Sequence, residues 1–188
     1  MSALHAVSKR QLAAALGAEE VHLVRHESSG LRAVVVVDDT RLGPAVGGIR
    51  THRYADEDAA LSDCAALARG MTLKCALAGL RAGGGKAVVL DHPRLERPPA
   101  FAALGEFIES LQGRFYTAGD LGTGPADLQA VASTSSHVRT DAMNLSEAVA
   151  RGMMRCLNAA LRDHGLPVDP GHLPLSGLSI AVQGCGQV

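Results

Sequence analysis

Apolar and polar positions change period several times along the 188 residues, and each change predicts an element. Val21–His26 and Leu31–Val37 are β-rich runs separated by Glu27-Ser28-Ser29-Gly30, the length and composition of a hairpin turn. Ala33-Val34-Val35-Val36-Val37 is apolar at every position, so both faces should be covered and the strand should be central. A further strand is predicted from Val46 to Arg53. From Asp56 onward Leu61, Cys64, Ala65, Ala68 and Met71 recur at helical spacing, with Asp56, Glu57 and Asp58 in the first turn, where the helix dipole favours anions.

Gly79–Gly85 interrupts this regularity, and Lys86–Leu90 reads as a short buried strand. A second helix should open after Pro98-Pro99, turn Phe101, Leu104, Ile108 and Leu111 inward, and stop at Gly113. Phe115–Ala118 predicts a strand with Asp120 just beyond its end, then a short helix capped by Thr123 with Pro125 in its first turn. Asn144–His164 is expected to be the longest helix: Asn144 and Glu147 are spaced as a capping box, and Val149, Met153, Leu157 and Leu161 form one face. Leu166–Gly177, with Pro167, Pro170 and Pro174, reads as a linker, and Leu178–Val182 as a strand running into Gly184-Cys185-Gly186. There is no internal repeat.

Composition narrows the function. With 47% hydrophobic and 20% charged residues the chain is neither disordered nor fibrous. Eighteen basic against nineteen acidic residues leave a net charge of −1 without a like-charge run, so the electrostatic footprint of a nucleic-acid binder is missing. The five aromatics (Phe101, Phe107, Phe115, Tyr54, Tyr116) are too scattered for a base-stacking platform. No apolar run approaches the ~20 residues of a membrane span. Cys64, Cys75, Cys156 and Cys185 form no CxxC, and the N-terminus carries no signal-like stretch, so free thiols and a cytoplasmic location are expected. Small-molecule chemistry remains the better expectation.

Lys74 at a helix end and Lys86 after Gly83-Gly84-Gly85 are the first candidates for it. Bare backbone lets a ligand approach closely. If both ammonium groups enter one cleft they depress each other's pKa, so that one can act as a base near neutral pH while the other binds an anion. The alternative, a plain glycine turn with both lysines solvated, stays open at this point. A phosphate loop fails on spacing, because Leu80 and Ala87 stand where that motif needs Gly and Ser or Thr. Asp120 at a strand end is placed as loop-borne catalytic carboxylates are, and equally as a turn-forming Asp. The eight histidines show no HExxH, so no metal site is expected. Gly184-x-Gly186 after a predicted strand is the opening of a dinucleotide fingerprint.

Four blocks taken together carry more than their parts: Leu42-Gly43-Pro44-Ala45-Val46-Gly47-Gly48-Ile49-Arg50, Ala68-Arg69-Gly70-Met71-Thr72-Leu73-Lys74, Ala78-Gly79-Leu80 with Gly83-Gly84-Gly85-Lys86, and Tyr116-Thr117-Ala118-Gly119-Asp120-Leu121-Gly122-Thr123. In order and spacing they resemble the glutamate/leucine/phenylalanine/valine dehydrogenase family, most of all its leucine-acting branch. The resemblance implies an α/β fold, a mixed sheet with helices on its faces, followed by the first strand of a Rossmann domain. Its expected divisions are a substrate-binding and oligomerisation domain over residues 1–140, a connecting helix and linker over 141–177, and the start of an NAD-binding domain over 178–188.

By the same resemblance Lys74 grips the substrate α-carboxylate, Lys86 is the catalytic lysine, and Asp120 assists proton transfer. Gly47 and Gly48 lie beside the substrate, Val46 and Ala118 line its pocket, and Gly184 and Gly186 contact NAD. The aliphatic pair Val46 and Ala118 points to a branched-chain amino acid that is deaminated oxidatively to the 2-oxo acid. A homo-oligomer is implied as well. Family members carry a longer loop where this chain has Val138–Met143, and the chain stops inside the fingerprint, so by itself it is expected to be inactive. The competing expectation is a non-catalytic oligomerisation or amino-acid-binding module without a cofactor domain.

Overall fold

A computed structural model describes residues 4–8, 10–140, 145–166 and 179–184, in two units, Met1–Thr140 and Asp141–Val188. In chain order the first unit contains β1 (Leu4–Ser8), α1 (Arg10–Leu16), β2 (Glu20–His26), β3 (Leu31–Asp39), β4 (Ala45–His52), α2 (Glu57–Leu77), β5 (Gly83–Leu90), α3 (Arg97–Ser110), β6 (Phe115–Gly119) and α4 (Pro125–Ala132). The strands form one mixed sheet in the order β1-β2-β3-β5-β4-β6. The first four pair antiparallel, and β4 runs parallel to both β5 and β6.

Alternation along β3 explains the two layers. Ala33, Val35 and Val37 join Phe101, Leu104, Phe107 and Ile108 of α3 and Val131 of α4 in one core cluster. Val34 and Val36 turn the other way and meet Ala13 of α1 and Ala60, Cys64 and Ala68 of α2. Each large side chain fully withdrawn from water here contributes roughly 1.5–3 kcal/mol. The α2 stripe is made of small residues, which lets that helix lie close to the sheet. Its first turn is closed by Asp56, whose carboxylate accepts from Ala59 N at 2.7 Å.

The predicted hairpin forms, with Gly30 in the left-handed region at φ 68° closing its 3-10 turn. Several expectations are corrected. Gly83–Gly85 is not a turn: all three glycines lie in β5 because its neighbours approach too closely for side chains. A Cβ at Gly84 would stand 2.1 Å from Thr72 N, and one at Gly85 would stand 2.8 Å from the Phe115 ring. α3 starts at Arg97, so both prolines sit inside its first turn, where no intrahelical N–H is needed. The cap of α4 is Gly124, whose N–H donates to Asp127 at 2.8 Å, while Thr123 bonds Thr51 instead. β1, which the periodicity did not announce, extends the sheet edge beside β2, and α1, equally unannounced, packs Ala13 into the cluster on the α2 side of the sheet.

In the second unit α5 spans Leu145–Asp163 with 19 residues. It is shorter than the 21-residue α2, so it is not the longest helix. Of its predicted apolar face, Val149 and Met153 are exposed and Leu161 is buried. Asn144 of the expected capping box and the linker 167–177 lie outside the described residues. Of the strand expected over Leu178–Val182, Leu178 lies outside the described residues and Ser179–Val182 are not in a strand: residues 179–184 are exposed and, among the described residues, have no strand to pair with. No helix among the described residues is long and apolar enough to cross a membrane.

The glycine contacts predict opposite responses from two substitutions on α2 and its partner strand. Gly70 lies inside α2 with nothing within 4 Å of a Cβ, so Gly70→Ala should raise stability by about 0.5–1 kcal/mol through helix propensity. Gly84→Ala should lower it by about 1–3 kcal/mol, because the methyl meets backbone that cannot yield. Urea denaturation of both variants measures this, and equal shifts would contradict the packing.

Candidate active site

The three parallel strands place the candidate residues on one face of the sheet. Ala45 and Ile49 point into the α3-facing core, so Val46, Gly48 and Arg50 face the opposite side. Phe115 is in the same α3-facing core, so Tyr116, Ala118 and Asp120 share the face of Val46. Gly48 pairs with Ala118. The offset between β4 and β5 is the same at Val46/Gly84 and at Ile49/Ala87, which sets Gly48 level with Lys86. Ala118, Gly48 and Lys86 therefore form a row across the sheet. Val46 and Ala118 are partly exposed on it.

Across that row Lys86 Nζ donates to Asp120 Oδ2 at 2.8 Å. Lys86 is only 5% exposed, and a buried ammonium requires such a partner. Gly48 keeps the path clear: a Cβ there would stand 2.7 Å from Gly119 O and 2.9 Å from Asp120 Cβ. Asp120 is held by its loop. Thr123 N donates to Asp120 O at 3.0 Å, Thr51 N donates to Leu121 O at 2.9 Å, and Arg97 Nη2 donates to Gly122 O at 2.7 Å. Arg97 is fixed in turn by a two-point contact with Asp127.

A second cation reaches the same carboxylate oxygen. Arg50 Nε donates to Asp120 Oδ2 at 3.0 Å, and its Nη1 donates to Asp63 Oδ2 at 3.2 Å. Asp63 also accepts from the Tyr54 hydroxyl. Burial pushes the Asp120 carboxyl up, but the Lys86 hydrogen bond and charge, the Leu121 N–H and Arg50 outweigh it and hold the group below the ordinary carboxylate range. Burial also opposes the Arg50 charge, yet Asp120 and Asp63 leave its guanidinium more firmly protonated than usual. Burial, then the hydrogen bond to Asp63, drives the Tyr54 hydroxyl upward. Cys64 lies under Lys86, with its thiol on the Val34 and Lys86 carbonyls, and burial keeps it unreactive.

The sequence-derived candidates thus separate. Lys86, Asp120, Gly48, Val46 and Ala118 share one face. Gly47 does not: it has the parity of Ala45 and Ile49, and its hydrogen in place of a Cβ avoids Gly85 O, which would lie at 1.8 Å. Lys74 stands exposed in the last turn of α2 with no ion pair or hydrogen bond among the described residues. The cation crowding Lys86 is Arg50, not the second lysine. Arg50, Asp63 and Tyr54 were absent from the sequence-derived set. The available signal was the arginine ending the Gly47-Gly48-Ile49-Arg50 block at the same parity as Gly48. Gly184, in the left-handed region at φ 87°, is exposed, and Gly186 lies outside the described residues. Residues 179–184, which lead up to Gly184, are not in a strand.

The pattern of the Glu/Leu/Phe/Val dehydrogenase dimerisation domain matches residues 18–137. The chain belongs to this family. The leucine dehydrogenase of Geobacillus stearothermophilus is 41% identical over 177 residues, covering 90% of this chain and 47% of the relative. The phenylalanine dehydrogenase of Lysinibacillus sphaericus is 48% identical over 106 residues, 56% of this chain and 28% of the relative. The chain spans about half the length of the leucine dehydrogenases it matches. The crystal structure of L-tryptophan dehydrogenase from Nostoc punctiforme superposes with a TM-score of 0.64 at 37% identity, covering 68% of this chain and 38% of that one. A hetero-hexameric glutamate dehydrogenase from Thermus thermophilus, with a TM-score of 0.61 at 22% identity, shares the fold over 88% of this chain and 41% of its own.

The Asp120 contacts predict a pH signature. A carboxyl held below its ordinary value near 3.8 adds stability that is present above that pH and lost as pH falls through the lower, folded-state value. Asp120→Asn leaves the buried Lys86 ammonium without its charged partner, at a cost on the order of 1–3 kcal/mol at pH 7. The gap between wild type and variant should narrow below about pH 4. Urea denaturation at pH 7 and pH 3 tests this; a gap independent of pH would contradict the ion pair.

Proposed function

We propose that this chain is the substrate-binding part of an NAD-dependent amino acid dehydrogenase that deaminates a branched-chain, leucine-like L-amino acid oxidatively to the 2-oxo acid and ammonia. The observation that carries the reading is the Lys86–Asp120 hydrogen bond laid across Gly48 on the face shared by Val46 and Ala118.

The residues allow a division of labour. Lys74, exposed and unpaired among the described residues, is available to a carboxylate at the end of α2. Val46 and Ala118 offer aliphatic contact with a branched side chain, although one methylene in such a pocket discriminates by only ~1–3 kcal/mol. Hydride removal is the part of the reaction that NAD would supply. Lys86 and Asp120 act on the subsequent step, the hydration of an imine carbon. Lys86 takes a proton from the attacking water once its own proton has left through the hydrogen bond to Asp120, and Asp120 returns a proton as ammonia departs. A carboxylate already bonded to the lysine provides that path without rearrangement. The family's dimerisation-domain description supports a homo-oligomer, and a cytoplasmic location accords with free-thiol chemistry at the buried Cys64 and Cys75.

L-Leucine titrated into the isotopically labelled chain should shift the resonances of Val46, Gly48 and Ala118. Lys74→Ala should weaken binding about tenfold through loss of a charge-assisted hydrogen bond, while Lys86→Ala should leave binding near that of the wild type. With NAD and leucine the chain should give no rise at the nicotinamide wavelength. Joined to a dinucleotide-binding domain it should turn over, and Lys86→Ala should abolish that turnover. Leucine that moves none of these resonances would overturn the substrate assignment. Binding without turnover in the joined protein would favour the non-catalytic module.

A further inference from the structure

Arg50 is the one member of the charged cluster that cannot exchange a proton near neutral pH. It stands between two acids, Asp120 and Asp63, and its side chain is 23% exposed. The groups facing it and the Lys86–Asp120 pair come from every neighbouring element: Lys86 on β5, Asp120 beyond β6, Asp63 and Cys64 on α2, and Tyr54 ahead of α2 with His52 against its ring. Lys86 and Arg50 meet on the same atom, Asp120 Oδ2. This places two positive charges about one acid oxygen apart, in surroundings that screen them less than water.

We infer that Arg50 is a positioning residue for the Lys86–Asp120 pair, held by Asp63, which the Tyr54 hydroxyl steadies in turn, so that its fixed positive charge stands beside both groups that exchange the proton. The inference rests on the dehydrogenase reading for its purpose, since that chemistry needs a lysine able to give up its proton. The charge favours the carboxylate of Asp120 by attraction. The sequence suggested that a second lysine would stand beside Lys86; the geometry gives that place to an arginine, which cannot lose its charge and so cannot compete for the proton.

A charge effect and a purely structural one separate in two variants. If Arg50 only holds the loop in place through its fork, Arg50→Lys and Arg50→Gln both lose that hold and raise the Asp120 midpoint alike. If its charge matters, only the uncharged variant raises it. The titration is read in the intact chain from the Asp120 Cγ resonance, treated as a midpoint of a coupled group. Arg50→Gln should move it upward by about one pH unit, a tenfold change in the ionisation constant. Arg50→Lys, which keeps the charge and loses the fork, should keep it near wild type. Arg50→Met serves in place of Arg50→Gln if that variant does not fold, as judged by the amide spectrum. An unmoved midpoint, or equal rises in the charged and uncharged variants, overturns the inference. The readout needs neither leucine nor NAD, so a chain that bound no leucine would sink the dehydrogenase reading while these curves still judged the role of Arg50.

Discussion

The structure depends on the close approach of β4 to the strands on either side of it. At Gly47 the backbone of β5 comes so near that a Cβ would overlap the Gly85 carbonyl, and at Gly48 the chain beyond β6 comes nearly as close. Parallel strands normally interpose side chains over their faces. Here the central one is bare for two residues, and a lysine from the strand on one side can reach an acid from beyond the strand on the other. The fold does not merely carry the site, because the absent side chain of Gly48, which lets β4 and β6 close up, also opens the path between Lys86 and Asp120.

Once Lys86 is buried, the surrounding electrostatics are constrained. An ammonium withdrawn from water requires a counter-charge, and Asp120 supplies it. That carboxylate would itself be costly to hold half-buried, and a second cation, Arg50, offsets this from the far side. Arg50 is tied in turn to Asp63 on α2, so the chain of charges crosses from the sheet to the helix that covers it. The loop bearing Asp120 is fixed independently by Thr51 and Arg97, so the acid's position does not rest on the ion pairs alone. The chain that carries this arrangement belongs to the Glu/Leu/Phe/Val dehydrogenase family. Among the relatives, leucine, phenylalanine and tryptophan dehydrogenases are all represented, so the common element is the amino acid dehydrogenase frame.

Much of the first unit was legible in the linear pattern. The valines of β3, the acidic start of α2 and the inward residues of α3 each reflect a local period and a local cap, and such signals survive in sequence because they need only near neighbours. The parts that were misread depend on distant ones. Gly83–Gly85 looks like a turn in isolation, since nothing nearby in the chain shows that Thr72, Asp39 and Phe115 crowd it from three sides. Thr123 looks like a cap until Thr51, 72 positions earlier, takes its hydroxyl. Leu178–Val182 has the composition of a strand, but composition cannot provide the neighbour to which a strand must bond.

The candidate site divides along the same line. Residue order alone singled out Lys86 and Asp120 as candidates, with Val46, Gly48 and Ala118 beside them, because four spaced blocks resembled a known family pattern. Only the tertiary structure decided which charges meet: Arg50 and Lys86 on one oxygen of Asp120, Asp63 and Tyr54 behind the arginine, Gly47 turned to the opposite face and Lys74 left in solvent. The reason is geometric. Strand alternation assigns each residue a face from local sequence, but the pairing of β4 with β5 and β6, and so the distance between two charges 34 positions apart, is set by contacts that no stretch of the chain contains by itself.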